Sequence, residues 1–154
     1  FKTLNYKIYE LMHDLSLQVI KDGEGISKLI RVNVLNARSK NQAKKISFSI
    51  ANSPLVKTAI AGEDPNWGRV VMGIGKSGEQ VDKNKLSIKF GEFEVTDKGK
   101  VSDNYDEQKL KEYMKWDSIL IEVSINQGDS EFECYTCDFT HDYIDINADY
   151  RNPS

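Results

Sequence analysis

The sequence predicts an α+β fold, with a helix–strand–helix segment first and then a mostly antiparallel sheet carrying one helix. Three observations lead there. Apolar residues recur at helical spacing near the start. Residues 28–35 alternate instead. Four further strand-like runs, separated by turn formers, fill most of the second half.

In chain order, Leu4, Ile8, Leu11, Met12, Leu15 and Val19 mark an amphipathic helix over 3–21, with Gly23 as its stop. Residues 28–35, Lys-Leu-Ile-Arg-Val-Asn-Val-Leu, form a strand rich in branched apolar residues. Ser39 with Gln42 three residues on is a capping-box signature, and Ala43, Ile46 and Ile50 give the helix after it a buried stripe. Ser53-Pro54 opens a short third helix, with proline at its first turn. Past the loop Gly62–Gly68, strands are expected over 69–74, 86–95, 118–126 and 131–138, with a helix near 106–115 and Gly128 in a hairpin turn. Thr140 is placed to cap a last short helix before the polar tail Asn147–Ser154. This divides the chain into 1–61 and 62–154.

Composition excludes several classes. Apolar residues are 39% and charged residues 29% of 154, with a net charge of −3 and both signs interspersed. That is the soluble globular range, without the basic face that nucleic acid needs. No apolar run approaches the roughly 18 residues of a membrane helix, so no membrane is expected. Two cysteines do not make a disulfide framework, which points to a cytoplasmic setting. The chain begins at Phe1 without an initiator Met, so further chain upstream is expected.

Asp22-Gly23-Glu24-Gly25 joins a helix end to a strand start, and two glycines let the backbone approach a ligand closely. From those four residues alone, a plain helix stop with a solvated Glu24 is the favoured reading. Gly62-Glu63-Asp64-Pro65-Asn66-Trp67-Gly68-Arg69 packs acids, an amide, an indole and a guanidinium into eight residues. It is either a site loop or a structural loop anchored by a buried Trp.

Gly73-Ile74-Gly75-Lys76-Ser77-Gly78 matches G-x-G-x-x-G after an expected strand, but polar Glu79–Lys85 offers no helix to hold a pyrophosphate. Val70 also stands where a P-loop has its first glycine. Cys134 and Cys137 lack the further Cys or His that zinc requires, since only His141 and the distant His13 remain. Three apart on a strand, they point to opposite faces as packing residues. No metal site is expected, and no Ser-His-Asp order is present.

Several stretches together resemble the ornithine acetyltransferase (glutamate N-acetyltransferase) family of arginine biosynthesis. They are Lys21-Asp22-Gly23-Glu24-Gly25 ahead of Ser27-Lys28, the run Ile50–Ala59 with Ser53-Pro54-Leu55-Val56-Lys57-Thr58, Gly62–Arg69, Cys137-Asp138-Phe139-Thr140 with Asp142-Tyr143, and Ile146-Asn147-Ala148-Asp149-Tyr150-Arg151. They occur in the family's order and spacing, and cover essentially the whole chain as the C-terminal part of its β chain.

The resemblance implies a self-processing fold whose exposed N-terminal threonine takes acetyl from N-acetylornithine and passes it to glutamate. No cofactor is implied, although some members accept acetyl-CoA as a co-substrate. Partners implied are the α chain and the remainder of the β chain, in a heterotetramer of two α and two β chains. Thr3 and Thr58 do not match the nucleophile's context, so no catalytic residue is expected in this chain. Substrate contacts carry over to Glu24 and Asn147, and to Asn152 where the family usually has Ser or Thr. A self-processing aminopeptidase relative and a non-catalytic fragment are the alternatives.

Overall fold

The computed structural model describes residues 28–138. The expected helix over 3–21, the cap at Thr140 and the polar tail lie outside them. The described chain builds a six-stranded sheet covered by helices. Strand β1 (Leu29–Ala37) is followed by helices α1 (Lys40–Ala51), α2 (Pro54–Ala61) and α3 (Trp67–Lys76). Then come β2 (Ser87–Phe90), β3 (Phe93–Asp97), the short β4 (Lys100–Val101), helix α4 (Glu107–Tyr113), β5 (Ser118–Ser124) and β6 (Ser130–Cys137). The sheet order is β4-β3-β2-β5-β1-β6, and only the β1–β5 pair is parallel.

Register sorts the strand residues onto two faces. Val32 lies opposite Ile121 and Cys134, and Ile121 opposite Phe90, so these share a face with Ile30, Val34, Ile119, Val123 and Ile88. All eight apolar neighbours are buried at 0–1% exposure. The face belongs to α1, because Cys134 Sγ donates to the Ser47 carbonyl at 3.6 Å and Phe48 meets Phe132 edge to face at 5.5 Å. Burying such a strand set is worth roughly 1.5–3 kcal/mol per large side chain before entropy is counted. The opposite face is charged, with Arg31 Nε bonded to Glu133 at 2.7 Å and Lys89 3.8 Å from Glu122.

The capping signatures hold. Ser39 Oγ accepts the Gln42 N–H at 3.0 Å, while Gln42 Oε1 accepts the Arg38 N–H. Ser53 Oγ accepts the Val56 N–H, with Pro54 at the first turn of α2.

Three expectations are corrected. Residues 69–74 are not a strand but the body of α3. Asn66 Oδ1 caps that helix by accepting the Arg69 N–H, and Val70 and Ile74, four apart, bury one side. The valines there carry strand propensity, yet a cap and a buried i,i+4 pair outweigh it. Consequently the G-x-G-x-x-G run closes a helix instead of following a strand. Residues 86–95 are two strands, because Phe90 pairs with Phe93 around a two-residue turn where Gly91 has φ 63°. Gly128 sits in no hairpin. Strand β1 lies between β5 and β6, so the connection crosses over the end of β1, and a side chain at 128 would collide with the Ala37 carbonyl.

Candidate functional site

At one end of the sheet β1 starts, β5 starts and β6 finishes, and the chain entering there is tied by Lys28. Its N–H donates to Asp138 Oδ1 at 2.5 Å, and its carbonyl accepts the Asp138 N–H at 3.1 Å. Its ammonium donates to the Trp116 carbonyl at 2.7 Å and lies 3.5 Å from Glu63 Oε2. Lys28 is 7% exposed, and a cation so desolvated requires such partners.

Glu63 reaches Lys28 because of how α2 ends. The Asp64 N–H returns to the Ala59 carbonyl and the Glu63 N–H to that of Ile60, which is a Schellman closure. Its left-handed position falls on Glu63, with φ 58°. Glycine takes that position freely, whereas an L side chain there costs roughly 1–2 kcal/mol. The rest of the loop is committed to structure. Asn66 caps α3 and its amide reaches Asp64 Oδ2 at 3.4 Å, while Arg69 Nη1 donates to the Leu55 carbonyl of α2 at 2.9 Å. Trp67 is 36% exposed, so it is not the buried anchor of the structural alternative.

Around this end, side chains finish the ladders. The Tyr113 hydroxyl accepts the Leu120 N–H at 2.8 Å, where β2 has already turned away. Burial raises the Tyr113 phenol above its ordinary value, against the lowering effects of that N–H and of Arg31. Trp116, exposed at 61%, leans on the Tyr113 ring at 5.0 Å. On β3, the Asn104 amide and then the Ser102 hydroxyl, both 2.9 Å from Glu94 Oε2, hold that carboxyl below its usual range.

The sequence-predicted contacts Glu24, Asn147 and Asn152 lie outside the described residues. Their segments, however, join the described chain at Lys28 and Asp138, which bond to each other. Of the Gly62–Arg69 loop, Glu63 comes to the same place and Arg69 does not. Lys28, quoted above only as part of a motif, is the residue that sequence reasoning missed. A lysine opening a strand carries no local sign that it will be buried. Among the described residues, no group of three or more His, Cys, Asp or Glu is arranged to hold a metal. Cys134 and Cys137 are both buried, and they alternate between faces opposite Val32 and Leu29.

Comparison with known proteins supplies context for this end of the sheet. The ArgJ family model matches residues 1–152. The arginine biosynthesis bifunctional protein ArgJ of Ruegeria pomeroyi is 53% identical over 142 residues, which are 92% of this chain and 35% of that protein. Its counterpart from Bartonella henselae is 47% identical over 152 residues, 99% of this chain and 37% of that protein. The chain thus spans about a third of the length of the curated relatives it matches. The crystal structure of the arginine biosynthesis bifunctional protein ArgJ from Bacillus halodurans superimposes with a TM-score of 0.74 at 35% identity, covering 96% of this chain and 70% of that one.

Proposed function

The chain belongs to the ArgJ family, and from that premise we propose that it supplies the amino-acid recognition of an ornithine acetyltransferase. In the proposed reaction a threonine hydroxyl elsewhere in the enzyme attacks the acetyl carbonyl of N-acetylornithine. The C–N bond breaks, ornithine leaves with the proton, and a threonine ester holds the acetyl group. The amine of glutamate then attacks the ester, forms N-acetylglutamate and returns the hydroxyl. Splitting the transfer in two gives each step a good nucleophile and a covalent intermediate. Glu24 pairs with a substrate ammonium, and Asn147 and Asn152 offer amide donors and acceptors to its carboxylate and amine. Acetyl-CoA is an alternative donor. The working unit is cytoplasmic and combines α chain, β chain and a second copy of each, with 1–61 and 62–154 as parts of one catalytic body.

One observation supports the site assignment above others. Lys28 and Asp138, at which the Glu24 segment and the tail join the described chain, hold each other by two hydrogen bonds. The test is Glu24→Gln in the complete enzyme. A hydrogen bond to a charged group contributes about 1.5–3 kcal/mol, so kcat/KM should fall roughly 10- to 150-fold while folding is unaffected. An unchanged kcat/KM would return Glu24 to the role of a solvated helix stop.

A further inference from the structure

We propose that the outward face of α3, with Leu55 of α2 beside it, seats the part of the enzyme that lies outside residues 1–154. That partner presents an apolar surface with carboxylates at its rim. Helix α3 has two faces. Val70, Gly73 and Ile74 are buried toward α1, where a side chain at 73 would touch Ile50 and the Ser49 hydroxyl donates to the Gly73 carbonyl at 2.6 Å. Trp67, Gly68, Val71, Met72 and Gly75 follow the i, i+1, i+4, i+5, i+8 spacing of the opposite face. Met72 is 51% exposed there and Leu55 39%, and the Arg69 guanidinium ties the two helices by donating to the Leu55 carbonyl.

A surface helix carries polar residues outward, and a helix apolar on all sides belongs in an interior. Helices α1 and α4 obey this, with Lys40 and Lys44 exposed on one and Glu107 and Lys111 on the other. The outward face of α3 has no such residue, and an exposed apolar face of this kind marks an interaction site. Length and charge choose the occupant. The chain is 35% and 37% of the two ArgJ proteins compared above, so most of such an enzyme lies outside it. Arg69 and Lys76 are the charged residues of α3, both cations, and neither forms an ion pair among the described residues. A second copy of α3 would bring two more cations and no acid, so charge complementarity selects a different surface, one that supplies carboxylates. The face also begins at the loop whose Glu63 pairs with Lys28, so a body seated on it abuts that end of the sheet.

The experiment places the photo-crosslinker p-benzoylphenylalanine at position 72 of the complete enzyme and identifies the captured peptide by mass spectrometry. The expected peptide comes from outside residues 1–154 and contains Asp or Glu. A peptide from within residues 1–154, a peptide without carboxylates, or no capture would overturn the proposal. The unsubstituted enzyme provides a second measurement, in case the crosslinker disturbs folding. Oxidation by peroxide follows exposure, so Met72 should react at least roughly 10-fold more slowly in the native enzyme than after unfolding in urea. Equal rates would mean that nothing is seated on α3. Neither measurement reads turnover, so failure here leaves the Glu24 reading intact, and an unchanged kcat/KM in Glu24→Gln leaves this face intact.

Discussion

The two ends of the sheet are finished by different means. At the Lys28 end, side chains close the ladders: Lys28 on the Trp116 carbonyl, Asp138 on the Lys28 N–H, and the Tyr113 hydroxyl on the Leu120 N–H. At the Gly128 end the crossing itself is backbone on backbone, with the Asn36, Ser124 and Asn126 side chains bonded beside it. The Ile125 and Gln127 N–H groups donate to the Leu35 and Asn36 carbonyls, and Gly128 passes close against Ala37 and Arg38. The first solution leaves groups that can be redirected toward a ligand. At the second, the close crossing of Gly128 over Ala37 is fixed by main-chain shape. The contrast separates residues whose replacement changes chemistry from those whose replacement changes packing.

The sharpest way to break that contrast is at Gly128. Alanine there should destabilise by about 2–3 kcal/mol, because the atoms it meets are main chain and cannot rotate aside. Gly75 of α3 is the control, since a Cβ there meets nothing within 4 Å and alanine should gain about 0.5–1 kcal/mol of helix propensity. Chemical unfolding of both variants decides it, and equal midpoints would mean that the crossing has slack.

At the other end, Tyr113→Phe leaves the Leu120 N–H without its acceptor and should cost about 1–2 kcal/mol. It carries a pH signature as well. Burial raises the folded-state phenol, so its contribution is full below the unfolded value near 10 and is lost as pH rises through the folded one. Stability followed upward from about pH 9 should therefore fall in the parent as pH passes the unfolded value near 10, and stay flatter in the Phe variant.

The smallest effect belongs to Glu94. Its carboxyl is lowered in the fold, so the stabilisation is present above the unfolded value near 4.3 and is lost as pH falls through the folded one. Glu94→Gln should remove part of the acid-side slope and lower neutral stability slightly, converging with the parent in acid. An identical slope in the variant would show that Asn104 and Ser102 do not tie this carboxylate in solution.

Much of the fold was legible because its signals are local. The alternation over 28–35, the Ser39–Gln42 box and Ser53-Pro54 each act within one turn or strand, and each element formed. Residues 69–74 misled because Val70 and Val71 read as strand, although Asn66 stood ready as a cap. Gly128 misled for a different reason. Whether two successive strands pair or admit a third between them is decided by the whole sheet, and nothing in residues 125–130 encodes it. The site divides similarly. Motifs pointed to the Gly62–Arg69 loop, but which of its residues reaches the Lys28 end depends on one left-handed backbone angle at Glu63.

The place of β1 between β5 and β6 also has a consequence in time. Its partner for Leu29 on β5 is Ser118, 118 − 29 = 89 residues later, and on β6 it is Cys137, 137 − 29 = 108 residues later. At about 5–20 residues per second of synthesis, β1 waits roughly 4–18 s for its first partner strand. Helix α1 follows at once and forms within microseconds, so the Val32 face can be covered early. Both edges of the strand stay unpaired through that interval, which makes the nascent chain most exposed to pairing with another copy of itself. Arg31 and Asn33, which interrupt the apolar run of β1, act against such pairing before they serve the finished sheet.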